Sequence, residues 1–207
     1  MNRRLLSLSA RITLAALALL LPLTAAAEPT TWNVDAVHSN VGFEVRHFLT
    51  QVPGRFGEYE GVIVYDPANP AASSVSFTVQ TASIDTNNER RDGHLRSADF
   101  FDAEKFPTLS FQSKKVAALG ENRLAVTGDF TMHGVTKEIT VPVEVLGVMG
   151  DKAGFQTEFE VDRTEYGVLW NRNLDQGGTI LGDDVKIRLS IEADRQKPEP
   201  EAEAQGG

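Results

Sequence analysis

Asn87-Asn-Glu-Arg-Arg-Asp-Gly-His-Leu-Arg-Ser-Ala-Asp-Phe-Phe-Asp-Ala-Glu-Lys-Phe-Pro-Thr-Leu-Ser-Phe111 is the stretch on which the fold reading turns. On both sides of it the chain alternates apolar with polar residues, the two-residue rhythm of half-buried strands. Inside it that rhythm stops: the charges cluster, and Phe100, Phe101 and Phe106 fall outside a period of two. Asn87 or Asn88 is placed to cap a short helix, on which Arg90 and His94 share one face and Arg91 and Leu95 the next. Pro107 ends the segment. A polar, partly helical insertion in an all-β chain must cover something, and the expectation is one end of the sheet structure, with the three phenylalanines inward and the arginines at the rim.

Upstream, alternation runs through Trp32–Asp35, His38–His47, Gly54–Tyr65 and Ser74–Ile84; downstream it resumes at Leu109 and continues through Leu124–Met132, Val135–Val148, Phe155–Val161 and Val185–Ile191. Met132-His-Gly-Val135 reads as a tight hairpin, with Gly134 supplying a positive φ. Residues 162–184 read as a loop. About eight long strands joined by short turns predict an all-β fold, an eight-stranded antiparallel lipocalin-like barrel with a short helical insertion, rather than a sandwich, because closure removes the exposed edges.

The ends read differently. Arg3, Arg4 and Arg11 precede an apolar run over Ile12–Leu23, and Ala25-Ala-Ala27 gives a small-residue cleavage site before Glu28. Residues 1–27 are therefore expected to be a secretory signal peptide, too short in its apolar part to span a bilayer. Residues 196–207, with two prolines and three glutamates, are expected to be a disordered acidic tail. The domain is then 28–195. The full chain carries −9; loss of the three leader arginines takes the mature chain to −12. Such a charge repels phosphate backbones, so nucleic acid is not an expected partner. With no cysteine there is neither a disulfide nor an acylated anchor.

Chemistry is sparse. His38 and His47 are nine apart, an odd offset that points them to opposite faces of a regular strand, and no histidine pair has a zinc spacing, so no metal is expected. There is no nucleophile elbow, thiol or phosphate loop, and the reading is a non-enzyme. Eleven Phe against three Tyr supply large side chains without polar handles, suited to walls touching a hydrocarbon. Gly128, in parity with Val126 and Phe130, either leaves room or marks a close backbone approach.

Several motifs resemble the YceI-like family: Asn88–Pro107 with Phe111, Thr131-Met-His-Gly-Val-Thr-Lys137, Asp162-Arg-Thr-Glu-Tyr-Gly-Val168, Gly182-Asp-Asp-Val-Lys-Ile187 and Trp32-Asn-Val-Asp-Ala-Val-His-Ser39. One departure is Glu138, where many relatives carry proline. The resemblance implies a bacterial periplasmic protein with an elongated lipocalin-like barrel that binds polyisoprenoids or related amphiphiles. The residues expected to meet such a ligand are Phe43, Val45, Phe77, Phe100, Phe101, Phe106, Phe111, Phe130, Phe155, Phe159 and Trp170, with Arg90, Arg91 and His94 at the rim. No resident cofactor is expected; the guest would be a polyisoprenoid, quinone-like or fatty-acyl lipid. At about 0.8 kcal/mol per buried methylene, a few isoprene units supply roughly 8–12 kcal/mol gross. The alternative for these cations is pairing with the nearby carboxylates of Glu89, Asp92, Asp99, Asp102 or Glu104. No stable membrane insertion is expected after leader cleavage, and a homodimer is admitted. The alternative is a filled barrel, a stress-related or partner-binding protein without a small ligand.

Overall fold

The computed structural model describes residues 29–175 and 178–197. The leader expected over 1–27, and all but Gln196 and Lys197 of the expected acidic tail, lie outside the described residues. Eleven strands and one helix follow in order: β1 (Thr30–Val34), β2 (Asn40–His47), β3 (Thr50–Phe56), β4 (Tyr59–Tyr65), β5 (Ser74–Gln80), β6 (Ile84–Asp85), α1 (Glu89–Arg96), β7 (Thr108–Gly120), β8 (Arg123–Met132), β9 (Val135–Met149), β10 (Lys152–Asp162) and β11 (Leu181–Arg195).

These strands make eight staves, because three staves are broken, the third being β5 and β6. β11 pairs with β1 through Ala193–Arg195 and with β2 through Leu181–Ser190, so β1 and β2 share one stave interrupted at residues 35–39. β4 and β3 make the next stave, pairing with β1 and β2 respectively. The ring continues β5, β7, β8, β9, β10, β11 and closes on β1. The result is a closed eight-stranded antiparallel barrel with one short helix, as the alternation predicts.

Two expected strands prove to be split. Gly54–Tyr65 is the end of β3 and the whole of β4, parted at Gly57-Glu58, and β3 begins earlier, at Thr50. Ser74–Ile84 ends as β5 at Gln80; a 3₁₀ turn over Thr81–Ser83 then leads into β6, which pairs with β3 for two residues. The inward parity changes across each break, from even at Phe56 to odd at Ile63 and Tyr65, and from odd at Val79 to even at Ile84, as Gly57-Glu58 and the 3₁₀ turn reset the pleat.

The turns behave as their residues dictate. His133 and Gly134 have φ of 52° and 75°, both in the left-handed region that a two-residue hairpin of this type requires. α1 is capped by Asn88, whose side chain accepts from the Arg91 N–H at 3.0 Å, leaving Asn87 in the left-handed region at φ 60°. The insertion lies where β3, paired only briefly with β6, has no full-length neighbour.

Inward parity builds a core in two layers. Around Trp32, Val116, Leu124, Val126, Val141, Phe155, Ile191 and Ala193 the barrel is closed at the β1 end. Val41, Phe56, Val79, Ile84, Leu109, Phe130, Met132 and Tyr166 line the half nearer α1. Within the barrel wall Gly128 resolves as a close approach: a Cβ there would meet Gln112 O and sit 2.7 Å from Cζ of Phe111. The room at Gly128 itself is taken up by the Phe111 ring.

Candidate functional site

The barrel is hollow. A cavity of about 700 Å³ runs inside it, within the range of pockets that hold drug-sized molecules. Its walls come from the inward parity of each stave: Val41, Phe43 and Val45 of β2, Val75, Phe77 and Val79 of β5, Leu124, Val126 and Phe130 of β8, and Val185, Ile187, Leu189 and Ile191 of β11 among others. On β7 a bulge between Ser113 and Lys115 shifts the parity, so that Phe111 and Val116 both face inward.

A packing device keeps this lumen open although it is rich in phenylalanine. Phe43 faces Gly54 across β2 and β3, and Phe77 faces Gly61 across β4 and β5. A Cβ at Gly54 would collide with the Phe43 ring, and one at Gly61 with the Phe77 ring. Gly128 accepts the Phe111 ring in the same way. Three large rings therefore lie against the wall on glycine seats instead of crossing the lumen. Aromatic covering of strand glycines is a familiar stabilising pairing; here its consequence is space.

One end of the cavity is polar. Thr86, Asn88, Arg90, Arg91 and His94 line it, together with Leu95, Phe100, Phe101, Arg163, Val168, Trp170 and Leu181. The two helix faces expected from the sequence both contribute, Arg90 with His94 and Arg91 with Leu95. His94 Nε2 pairs with Asp99 Oδ2 at 2.8 Å, and the imidazole stands edge-on to Phe100 and Trp170, at 5.0 and 5.1 Å between ring centres. Arg91 donates to Thr86 Oγ1 and to Thr86 O, both at 2.7 Å. Buried Asp92 accepts from the Thr86 N–H at 2.9 Å and from its hydroxyl. Arg96 donates to Ala82 O and Ile84 O. Of the nearby carboxylates, then, only Asp99 takes up one of these cationic side chains, that of His94. Among the described residues Arg90 has neither an ion pair nor a hydrogen bond.

Of the fourteen residues the sequence nominates, thirteen line the cavity and Phe106 does not. Phe106 packs on the His133-Gly134 turn, its ring centre 4.6 Å from that of His133, under Lys105 Nζ at 5.0 Å. The cause is local: Asp102 sits in the left-handed region at φ 46°, and the Phe106 N–H returns to Asp102 O at 2.8 Å. That turn carries Phe106 away from the lumen faced by Phe100 and Phe101.

Sequence reasoning assigned no role to Arg163, although it quoted the motif containing it. Arg163 is 4% exposed. Nε donates to Gly182 O at 2.9 Å, Nη1 to Val168 O and to Trp170 O (2.5 and 3.0 Å), and Nη2 to Asp183 Oδ1 at 3.1 Å. Burial pulls its pKa below the ordinary arginine value, while Asp183 and Asp162 oppose that shift. One guanidinium thus ties residues 168–170 to the start of β11 and sets Val168 and Trp170 on the cavity. The only sequence signal was a cation immediately before an otherwise aromatic and glycine-rich loop.

A second cluster lies at the other end of β11. Donor atoms of Asp35, His38 and Glu192 fall within 4.8 Å of one another. Lys152 Nζ lies between them, 3.0 Å from Asp35, 2.9 Å from Glu192 and 2.8 Å from Asp194. Hydrogen bonds from His38 and Lys152 hold the Asp35 carboxyl well below the usual carboxylate range, and Asp194, Glu192 and Asp35 hold Lys152 above the usual lysine range. The ammonium of Lys152 is the cation of this cluster. Among the described residues no helix is long and apolar enough to cross a membrane.

Comparison with known proteins places these features in context. A family model described as the YceI-like domain matches residues 32–193. A UPF0312 protein of Vibrio cholerae is 38% identical over 154 residues, covering 72% of this chain and 82% of the relative. One of Vibrio vulnificus is 42% identical over 143 residues, covering 68% and 76%. Among solved structures, BcnA of Burkholderia cenocepacia matches with a TM-score of 0.70 and 27% identity, over 77% of this chain and 98% of BcnA. The YCEI protein of Campylobacter jejuni matches at 0.63 and 31%, over 72% and 88%. A domain of Saccharophagus degradans described as polyisoprenoid binding shares the fold at 0.64 with 15% identity, over 81% of this chain and 99% of that domain.

Proposed function

The chain belongs to the YceI-like family, whose domain spans residues 32–193, and on that footing we propose that it binds a long-chain isoprenoid or similar amphiphilic lipid inside the barrel. The family and its fold point to a binding protein rather than an enzyme. The observation that carries the reading is the hollow, largely apolar interior of about 700 Å³, with its charged side chains gathered at one end. A filled barrel, the alternative reading, would have no such space. Hydrocarbon in this lumen gains transfer free energy at about 0.8 kcal/mol per methylene, without requiring any specific hydrogen bond along its length. Orientation then falls to the polar end, where Arg90, Arg91 and His94 face the lumen beside Trp170. The Saccharophagus domain of the same fold is described as polyisoprenoid binding, which makes an isoprenoid the first probe to try.

In this reading residues 1–27 direct export, and the mature protein carries or stores its lipid in the periplasm. The −12 charge of the mature chain, obtained from −9 by removing Arg3, Arg4 and Arg11, sets it against nucleic acid as a partner.

The test has two parts. Solvent extracts of purified protein should contain an amphiphile identifiable by mass spectrometry, and stripped protein should take up a long-chain quinone from detergent with quenching of Trp170 fluorescence, a signal that Trp170→Phe removes. Protein that neither retains nor takes up any amphiphile refutes the proposal. Fractionation and N-terminal sequencing should find the mature chain beginning at Glu28 in the periplasm; a cytoplasmic chain with an intact leader refutes that part.

A further inference from the structure

The β2–β3 hairpin turns on two residues, Phe48 and Leu49, between the paired ends His47 and Thr50. Phe48 has φ 55°. The first position of a two-residue turn with positive φ is where glycine is favoured, and a bulky side chain held there is strained. Neither residue is buried in return: Phe48 is 50% exposed and Leu49 85%. Cheap turn chemistry has been given up for two apolar side chains in water.

A third apolar residue stands at the same end. Leu169 is 67% exposed, between Val168 and Trp170, which both line the cavity. The hairpin tip and this loop are joined: the Phe48 N–H donates to Ile180 O at 2.6 Å, and Arg46 Nη1 donates to Phe48 O and Thr179 O. Arg46 and Arg172 are exposed beside them. Of the acids at this end, Asp183 is held by Arg163 and Asp99 by His94; Glu89, Asp175 and Asp184 offset the arginines. Apolar insertion, rather than net charge, must therefore carry any contact made here, with the arginines placed as interfacial flanks.

We infer that Phe48, Leu49 and Leu169 form an interfacial anchor that seats the polar end of the cavity on a phospholipid bilayer, so that the lipid guest passes between membrane and barrel without crossing water. The inference rests on the lipid-binding reading above. A bilayer suits this tip better than a strand-adding protein, since the free edge of β3 carries Pro53, which has no N–H to donate. It also suits this end better than the opposite one. There the exposed Val148 and Met149 stand near Asp35, Asp151, Glu192 and Asp194, four acids against the two cations Lys152 and Arg195 that pair with them, an acidic excess that an anionic surface repels.

The experiment is co-sedimentation of the mature protein with phosphatidylethanolamine–phosphatidylglycerol vesicles. The variants compared are Phe48→Gly/Leu49→Asn at the tip and Val148→Asn/Met149→Asn at the far end. Glycine suits φ 55°, so the tip variant should fold at least as well as the parent. Bound fraction should fall about tenfold for the tip variant, as expected from losing two partly buried apolar side chains, and stay unchanged for the far-end variant. Quinone uptake from detergent should be unaffected in both, which separates this inference from the cavity itself. A parent that ignores vesicles, or a tip variant that binds them as well as the parent, overturns it. A parent dimer that the tip variant dissolves makes the tip a protein interface and overturns it equally.

Discussion

Gly54→Ala is the substitution that best interrogates the hollow barrel. In an ordinary strand interior, alanine for glycine stabilises by about 0.5–1 kcal/mol through lower chain entropy in the unfolded state. Here a Cβ would overlap the Phe43 ring, with Cε1 and Cε2 at 2.7 and 2.8 Å, and the clash is with an aromatic ring seated between Gly54 and Phe56, whose ring centre is 5.6 Å away. Overpacking of this kind costs about 1–3 kcal/mol. The net expectation is destabilisation by about 1–2 kcal/mol, or roughly 2–8 °C in Tm for a domain of this size. The ring must leave its seat, and the free direction is the lumen, so the variant should also prefer shorter guests. Differential scanning calorimetry and a chain-length series of quinones read the two effects. Gly54→Ala/Phe43→Leu, which removes the ring, should recover part of the loss, with a coupling of about 0.5–2 kcal/mol. A single variant as stable as the parent or more so, with unchanged chain-length preference, would refute the idea that glycine seats keep the lumen open.

Phe101→Asp should weaken lipid retention more than Arg91→Ala, since Phe101 lines the lumen and Arg91 is engaged with Thr86; equal and negligible effects in the extraction assay would remove this stretch from the site. Arg163→Lys should cost about 3 kcal/mol or more and loosen residues 168–182, because one ammonium cannot serve four acceptors held by a buried fork; thermal unfolding and hydrogen exchange of that loop are the measurements, and parental values for both would show the loop is held otherwise. His38 has its pKa raised above 6.5 by the hydrogen bond it donates to Asp35, then by the charges of Asp35 and Glu192. A raised folded-state pKa gives stability that is full below the unfolded value near 6.5 and lost as pH rises through the folded one. His38→Ala should therefore lower Tm relative to the parent at pH 5.5 and match it at pH 9; a gap that widens toward pH 9 would contradict this sign.

How far the sequence could be read is clearest in the insertion at Asn87–Phe111. Its helix, a cap at Asn87 or Asn88 and the two helix faces follow from local spacing; the structure has the helix and both faces and puts the cap at Asn88. The inward placement expected of Phe100 and Phe101 holds; that expected of Phe106 does not, because its outward course depends on Asp102 adopting a positive φ, which no periodicity reveals. The aromatic positions of the strands were legible through parity: the strand phenylalanines nominated from the sequence line the lumen, while Phe56 and Tyr65, which line it too, went unnominated. Arg163 was illegible as a functional side chain: its role consists of four acceptors that only meet once β11 returns beside the loop.

What the sequence determined by itself is therefore the alternation, and with it the side of each stave that faces inward, together with the turn at Gly134 and an asparagine cap at Asn87 or Asn88. These are local properties, set by a two-residue pleat and by the φ values particular side chains tolerate. Only the tertiary structure decided that eight inward faces enclose a space instead of filling it. That outcome depends on ring orientation across neighbouring staves, Phe43 on Gly54, Phe77 on Gly61 and Phe111 on Gly128, and on closure between β1 and β11 at opposite ends of the domain. Parity assigns a side chain to a face. Whether it lies along the wall or projects across the lumen is fixed by the residue opposite, which the chain supplies only after folding.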